Sequence, residues 1–133
     1  MYTPHHELSV QEQYFKSIKD GIKTVEGRAG NIVAEQNIFE IYKENKTHFK
    51  AGQMIRFTVS GNENDLADSV ICEITKIEFY DSFEEMLTGC GLHNCLPGIL
   101  STETGVGVYR GFGGYLEREK LYGVVGIHLQ VLQ

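Results

Sequence analysis

The residues best placed to do chemistry are Lys23, Thr24, Glu26 and Arg28, gathered in the run Gly21-Ile22-Lys23-Thr24-Val25-Glu26-Gly27-Arg28. Side chains of an extended segment alternate between two faces. Thr24, Glu26 and Arg28 therefore share one face, and Lys23, Val25 and Gly27 take the other. A carboxylate and a guanidinium on one face either pair with each other at the surface or meet a polar ligand. A lysine near other cations, or in a dry cleft, can lose its proton and act as base or nucleophile. Thr24 offers a hydroxyl as nucleophile or hydrogen-bond donor. Glu26 can accept from the amino edge of a base, and Arg28 can clamp a phosphate or carboxylate. Lys23, Thr24 and Glu26 are thus the candidate catalytic residues, with Arg28 a ligand-binding candidate.

Tyr109, Arg110, Phe112 and Tyr115 form a second group. Aromatics interleaved with an arginine suit stacking on a nucleobase with charge at hand for phosphate, although Tyr109 and Phe112 also fit core positions. Tyr109, Arg110 and Tyr115 join the ligand-binding candidates, as does His48, in a loop that could border the cleft. Of the three cysteines, Cys90 and Cys95 flank His93. Two cysteines and one histidine are too few for a closed structural zinc site, so neither a metal nor another cofactor is expected.

The formal net charge of −6 bears on partners. Binding long duplex nucleic acid rests on neutralising many phosphates, which an acidic chain does poorly. A nucleoside, nucleotide or short single-stranded RNA suits a local basic pocket better. The 133 residues suffice for one domain with a real core, and no apolar run approaches a membrane span. Met1 to Glu7 lacks a signal pattern and the odd cysteine count argues against a secreted disulfide framework. The expected location is the cytoplasm, or the nucleus in a eukaryote.

The elements that must position these residues are legible in part. Ser9-x-x-Glu12 fits a capping box, so the apolar spacing of Val10, Tyr14, Phe15, Ile18 and Ile22 predicts a helix from Ser9 to Gly21. Asn31 to Lys46 reads as a short strand or irregular segment. Met54–Val59 and Ser69–Tyr80, joined by the turn Gly61-Asn62-Glu63-Asn64-Asp65, read as a hairpin. Ser82-x-x-Glu85 opens a second helix ending at Gly89 or Gly91, with Leu92 to Ser101 a loop. A third helix is predicted over Thr104 to Tyr115, and Tyr122 to Leu132 is the last strand. Strands separated by short helices give an α+β fold whose sheet curls into a small barrel.

The Gly21 to Arg28 run resembles the G-x-K-x-x-E-x-R signature of the ASCH (activating signal cointegrator homology) family. The likeness extends through His48-Phe49-Lys50-Ala51-Gly52-Gln53, through Val70 to Tyr80 followed by Ser82 to Leu87, and through Tyr109, Tyr115 and Tyr122 to Ile127. It implies a PUA-like β-barrel with short helices packed around it and a role in binding RNA or a nucleobase. Some bacterial members are amidohydrolases acting on N4-acetylcytidine, others are reported as ribonucleases, and eukaryotic members occur in transcription coactivators. The hydrolases use a lysine, which matches Lys23, and a nucleophilic threonine, whose position Glu26 occupies here. Thr24 or a water would then be the nucleophile, and Glu103 is the nearest counterpart of their glutamate.

Overall fold

The computed structural model describes residues 2–29 and 49–132. The expectations for Asn31 to Lys46 and for His48 lie outside the described residues. Within them the chain forms β1 (His6–Val10), α1 (Glu12–Lys19), β2 (Val25–Ala29), β3 (Met54–Val59) and β4 (Ser69–Tyr80). There follow α2 (Phe83–Cys90), the short α3 (Leu92–Cys95), α4 (Thr102–Arg110), α5 (Tyr115–Tyr122) and β5 (Val124–Val131).

The strands make one curled sheet, a half-barrel, in the order β1-β3-β4-β5-β2. β1 runs parallel to β3, and the other pairings are antiparallel. The β3–β4 hairpin forms as its β-branched runs and intervening turn dictate. In β5, Val124, Val125, Gly126 and Ile127 are all buried, so both faces of that strand are covered. The core gathers Ile18 of α1, Ile55 and Phe57 of β3, Val70 and Ile74 of β4, and Phe83 and Met86 of α2.

β1 overturns the capping box read at Ser9. Ser9 pairs with Thr58, and Val10 O accepts from Ser60 N at 2.7 Å, so strand pairing holds the backbone extended through Val10. The helix begins at Glu12 behind Gln11, which makes no side-chain cap bond. The second box is real. Ser82 accepts from Glu85 N at 3.1 Å, and the Glu85 carboxylate reaches back to Asp81 N at 3.1 Å. Phe83 N, a further unsatisfied donor of that first turn, donates to Glu119 Oε2 at 2.8 Å. Ser82→Ala is expected to cost about 1 kcal/mol in a urea melt, with Glu119 still holding one N–H. Gly91, at φ +95°, ends α2 as the sequence suggests.

Two helices differ from expectation. Leu92–Cys95 adds a helical turn inside the predicted loop. The helix expected over Thr104 to Tyr115 starts earlier and stops at Arg110, with Ser101 as its cap, accepting from Thr104 N at 3.1 Å. Gly111, Gly113 and Gly114 break it, since glycine gives a helix interior little support. Beyond them lies α5, which takes Tyr122 from the predicted last strand.

Candidate ligand-binding cleft

β1 and β2 are the two edges of the sheet, and its curl brings them to face each other. A cleft of about 260 Å³ opens along that seam. Ser9, Val10 and Gln11 form one wall, and Glu26, Gly27 and Arg28 the other. Tyr14, Leu96, Tyr109, Phe112 and Tyr115 supply aromatic and aliphatic surface, with Lys23 at the base. Arg28 crosses the seam, its Nη2 donating to Ser9 O at 3.3 Å. The bond ties one edge strand to the other where a closed barrel would have a ladder.

Glu26 is the centre of the charge arrangement. Its Oε2 pairs with Arg28 Nη2 at 2.7 Å and also accepts from Arg28 Nε at 2.9 Å. Its Oε1 lies 3.3 Å from Lys23 Nζ. Burial alone works against the charged carboxylate, but Arg28 and then Lys23 outweigh it, and the Glu26 carboxyl is held below its ordinary range. Burial likewise opposes the charge on Arg28, and Glu26 and then Tyr115 restore it, so its pKa is raised.

Lys23 departs from the alternation expected of an extended run. It precedes β2, so the strand's two-residue period does not govern it. Its ammonium turns onto the side of Glu26, donates to Val25 O at 2.7 Å and to Cys95 O at 2.5 Å, and lies 5.6 Å from the centre of the Tyr14 ring. Two carbonyls and a carboxylate thus engage its three N–H groups. Lys23 is a buried strut joining β2 to the end of α3.

Tyr109 enters from α4 and is buried. One face of its ring is stacked on Phe83, with centroids 4.4 Å apart and planes at 3°. That stack corrects the expected role of the ring as an open platform for a base. Tyr109 lines the cleft, and its hydroxyl, sealed from solvent, has no hydrogen-bond partner among the described residues. Burial, reinforced by Cys95 and Glu26, pushes the Tyr109 pKa well up, so the phenol keeps its proton. Phe83 also stacks on Tyr115, at 5.9 Å and 4°, and Phe112 meets Tyr115 edge-on at 5.4 Å. Gly27 lets this group close down: a Cβ there would stand 2.6 Å from Met86 Cε and 3.0 Å from Tyr109 Oη.

The structure brings Lys23, Glu26, Arg28, Tyr109 and Tyr115 to one cleft, and it separates other candidates from them. Thr24 does not line the cleft; its backbone is held between Asn94 O at 2.9 Å and Leu129 N at 2.8 Å. Arg110 lies outside, donating to Glu119 Oε1 at 2.8 Å and Oε2 at 3.3 Å, because its place on α4 aims it at α5. Glu103 is exposed and away from the cleft. Ser9, Gln11, Tyr14 and Leu96 also line the cleft, without a sequence signal that marks them for it. The first two depend on β1 lying beside β2, which no local pattern announces. Arg110→Ala is expected to leave any ligand affinity in the cleft unchanged while costing on the order of 1 kcal/mol in a urea melt, through the loss of a half-exposed partner to buried Glu119.

The ASCH domain family model matches residues 8–133. The chain belongs to the ASCH family. The crystal structure of the hypothetical protein PH0355 is 36% identical, with a TM-score of 0.71, over 96% of this chain and 98% of that one. The solution structure of PF0455 from Pyrococcus furiosus is 34% identical, with a TM-score of 0.67, over 96% of each chain. EF3133 from Enterococcus faecalis V583, at 17% identity and a TM-score of 0.61 over 99% of this chain and 78% of that one, shares the fold. No curated protein matches the chain significantly. ASCH membership supports the α+β, PUA-like architecture and fits nucleic-acid-related binding in general. Among the described residues no helix is long and apolar enough to cross a membrane.

Proposed function

We propose that the cleft binds one nucleobase-containing unit, whether a modified nucleoside, a nucleotide or a residue of a short single-stranded RNA. The observation that carries this reading is the Tyr109 hydroxyl, a sealed donor without a partner among the described residues, on a residue that lines the cleft. An unmet buried donor costs about 1–3 kcal/mol, and a ligand acceptor would recover that cost. A base carries carbonyl and ring-nitrogen acceptors for this hydroxyl, and amino donors for the remaining lone pairs of Glu26. Its flat faces suit the apolar walls of Val10, Tyr14, Leu96 and Phe112.

Size and charge support a small ligand. The 260 Å³ lies just below the ~300–1,000 Å³ usual for small-molecule sites. Lys23, Glu26 and Arg28 together leave one positive charge at the seam, enough to favour a single phosphate, while the chain as a whole is acidic. Binding without acyl transfer is favoured by the three acceptors on Lys23 and by the placement of Thr24 away from the cleft.

Calorimetry against a panel of nucleosides, N4-acetylcytidine among them, nucleotides and short RNAs tests the reading. At least one member is expected to bind at one site per chain, and silence across the panel would sink the proposal. Chromatography after long incubation with N4-acetylcytidine should return it intact. Release of cytidine that disappears in Lys23→Ala would replace binding with amidohydrolysis.

A further inference from the structure

A second constellation lies apart from the cleft, where α2 ends over the β4–β5 ladder. In the register of that ladder Glu78 stands opposite Gly126, and His128 opposite Lys76. Glu78 and His128 are thus diagonal neighbours on one face, within reach of each other. They share it only because of an irregularity. Between Ile74, opposite Leu129, and Lys76, opposite His128, β4 holds one extra residue, Thr75. Without that bulge Glu78 would face Val125 and project from the other side of the sheet. Bulges often re-aim a side chain in this way beside functional sites.

Cys90, the last residue of α2, comes down onto the same spot. Gly126 makes room, since a Cβ there would lie 3.3 Å from Cys90 Sγ. Glu78 Oε1 and His128 Nε2 are 2.6 Å apart, Cys90 Sγ is 3.8 Å from His128 Nε2, and it is 4.0 Å from Glu78 Oε1. These three atoms are the group among the described residues that could hold a metal ion. The convergence also decides between two chemistries. In a nucleophilic cysteine triad the acid orients one imidazole nitrogen and the other faces the thiol. Here thiol and carboxylate both meet the same nitrogen, which suits chelation.

We propose that Glu78, Cys90 and His128 form a zinc site with one coordination position open to solvent. Zinc takes sulfur at about 2.3 Å and nitrogen or oxygen at about 2.0–2.2 Å, which puts tetrahedral ligand atoms roughly 3.4–3.6 Å apart. The two sulfur distances are already within a few tenths of an ångström of that, and the Glu78–His128 pair opens when the ion replaces the proton they share. A thiolate and a carboxylate balance the two positive charges, and the mixed S, N, O set suits a borderline ion better than calcium or magnesium. All three residues are half-buried, so an ion can reach them from solution. Three other groups face the site: Lys76, Tyr80 and the buried Cys95 thiol, which hydrogen-bonds the Cys90 thiol. Lys76 Nζ is 3.2 Å from the second Glu78 oxygen on a largely exposed side chain and can swing aside, and Tyr80 Oη lies 3.4 Å from Cys90 Sγ. Of Cys90, His93 and Cys95, grouped in the sequence, the two thiols meet, but His93 is exposed on α3.

Cobalt titration of the reduced, metal-free chain tests the site. Co²⁺ is expected to raise a thiolate charge-transfer band and tetrahedral visible bands, saturating at one ion per chain and bleached by one equivalent of Zn²⁺. Cys90→Ser should abolish the charge-transfer band. His128→Gln and Glu78→Gln should each weaken binding at least tenfold. Circular dichroism establishes that each variant is folded, and Zn²⁺ should raise the melting temperature of the unaltered chain alone. Absence of the band at stoichiometric cobalt, its survival in Cys90→Ser, or unaltered affinity in His128→Gln would overturn the proposal. Nucleoside binding in the cleft is expected to survive Cys90→Ser, so the two readings fail separately.

Discussion

Replacing Glu26 with glutamine is expected to lower the unfolding free energy by about 3 kcal/mol, read as a shifted midpoint at constant slope in urea. The carboxylate is the only anion set between Lys23 and Arg28 among the described residues, and both it and Lys23 are nearly sealed from water. Breaking a buried pair typically costs about 3–5 kcal/mol because the surviving charge is left uncompensated. The lower end applies here. The amide oxygen can still accept from one cation, and Lys23 keeps the Val25 and Cys95 carbonyls. Changing Lys23 to methionine in the same chain should recover part of the loss, since an apolar side chain of similar length needs no counter-charge.

The same residue gives the stability a pH dependence of known sign. The folded pKa of Glu26 is depressed below its ordinary 4.5, so the unfolded chain takes up the proton first. Its contribution is complete above that unfolded value and is lost as pH falls through the folded one. Urea midpoints of the unaltered chain should fall more steeply below pH 4.5 than those of Glu26→Gln. Parallel profiles would contradict an ionised Glu26 at the seam.

Tyr109→Phe is expected to separate stability from binding. Removing a buried hydroxyl that lacks a partner should leave the fold as stable or raise it by about 1 kcal/mol. The stack on Phe83 survives, because it uses the ring. Ligand affinity should fall about 5- to 10-fold, the worth of one neutral hydrogen bond. A variant that is both more stable and a weaker binder is the signature of a donor held for a ligand. A loss of stability of 1 kcal/mol or more would mean that the hydroxyl supports the fold.

The features legible in the sequence were local ones. Ser82 and Glu85 announce their helix three residues apart, the β3–β4 hairpin is marked by β-branched runs around a polar turn, and Glu26 and Arg28 alternate onto one face as a strand requires. What could not be read depends on distant partners. β1 is five residues long and is stabilised by parallel pairing with β3 across almost fifty positions of sequence, so Ser9 and Glu12 mimic a cap. α5 escapes a search for apolar stripes for a concrete reason. Leu116 and Leu121 are exposed, and its buried residue is Glu119, recruited by Arg110 and the first turn of α2. The same pairing took Arg110 out of the cleft. Glu78, Cys90 and His128 are brought together by a bulge and a glycine, neither of which carries a spacing motif.

The most direct test of the central claim is a calorimetric titration of the tightest-binding nucleoside or nucleotide into the unaltered chain, Tyr109→Phe and Arg110→Ala. One site per chain is expected, with affinity reduced about 5- to 10-fold in Tyr109→Phe and unchanged in Arg110→Ala. Equal affinity for all three would place the ligand somewhere other than the seam between β1 and β2. A loss confined to Arg110→Ala would move the site to the α4–α5 face.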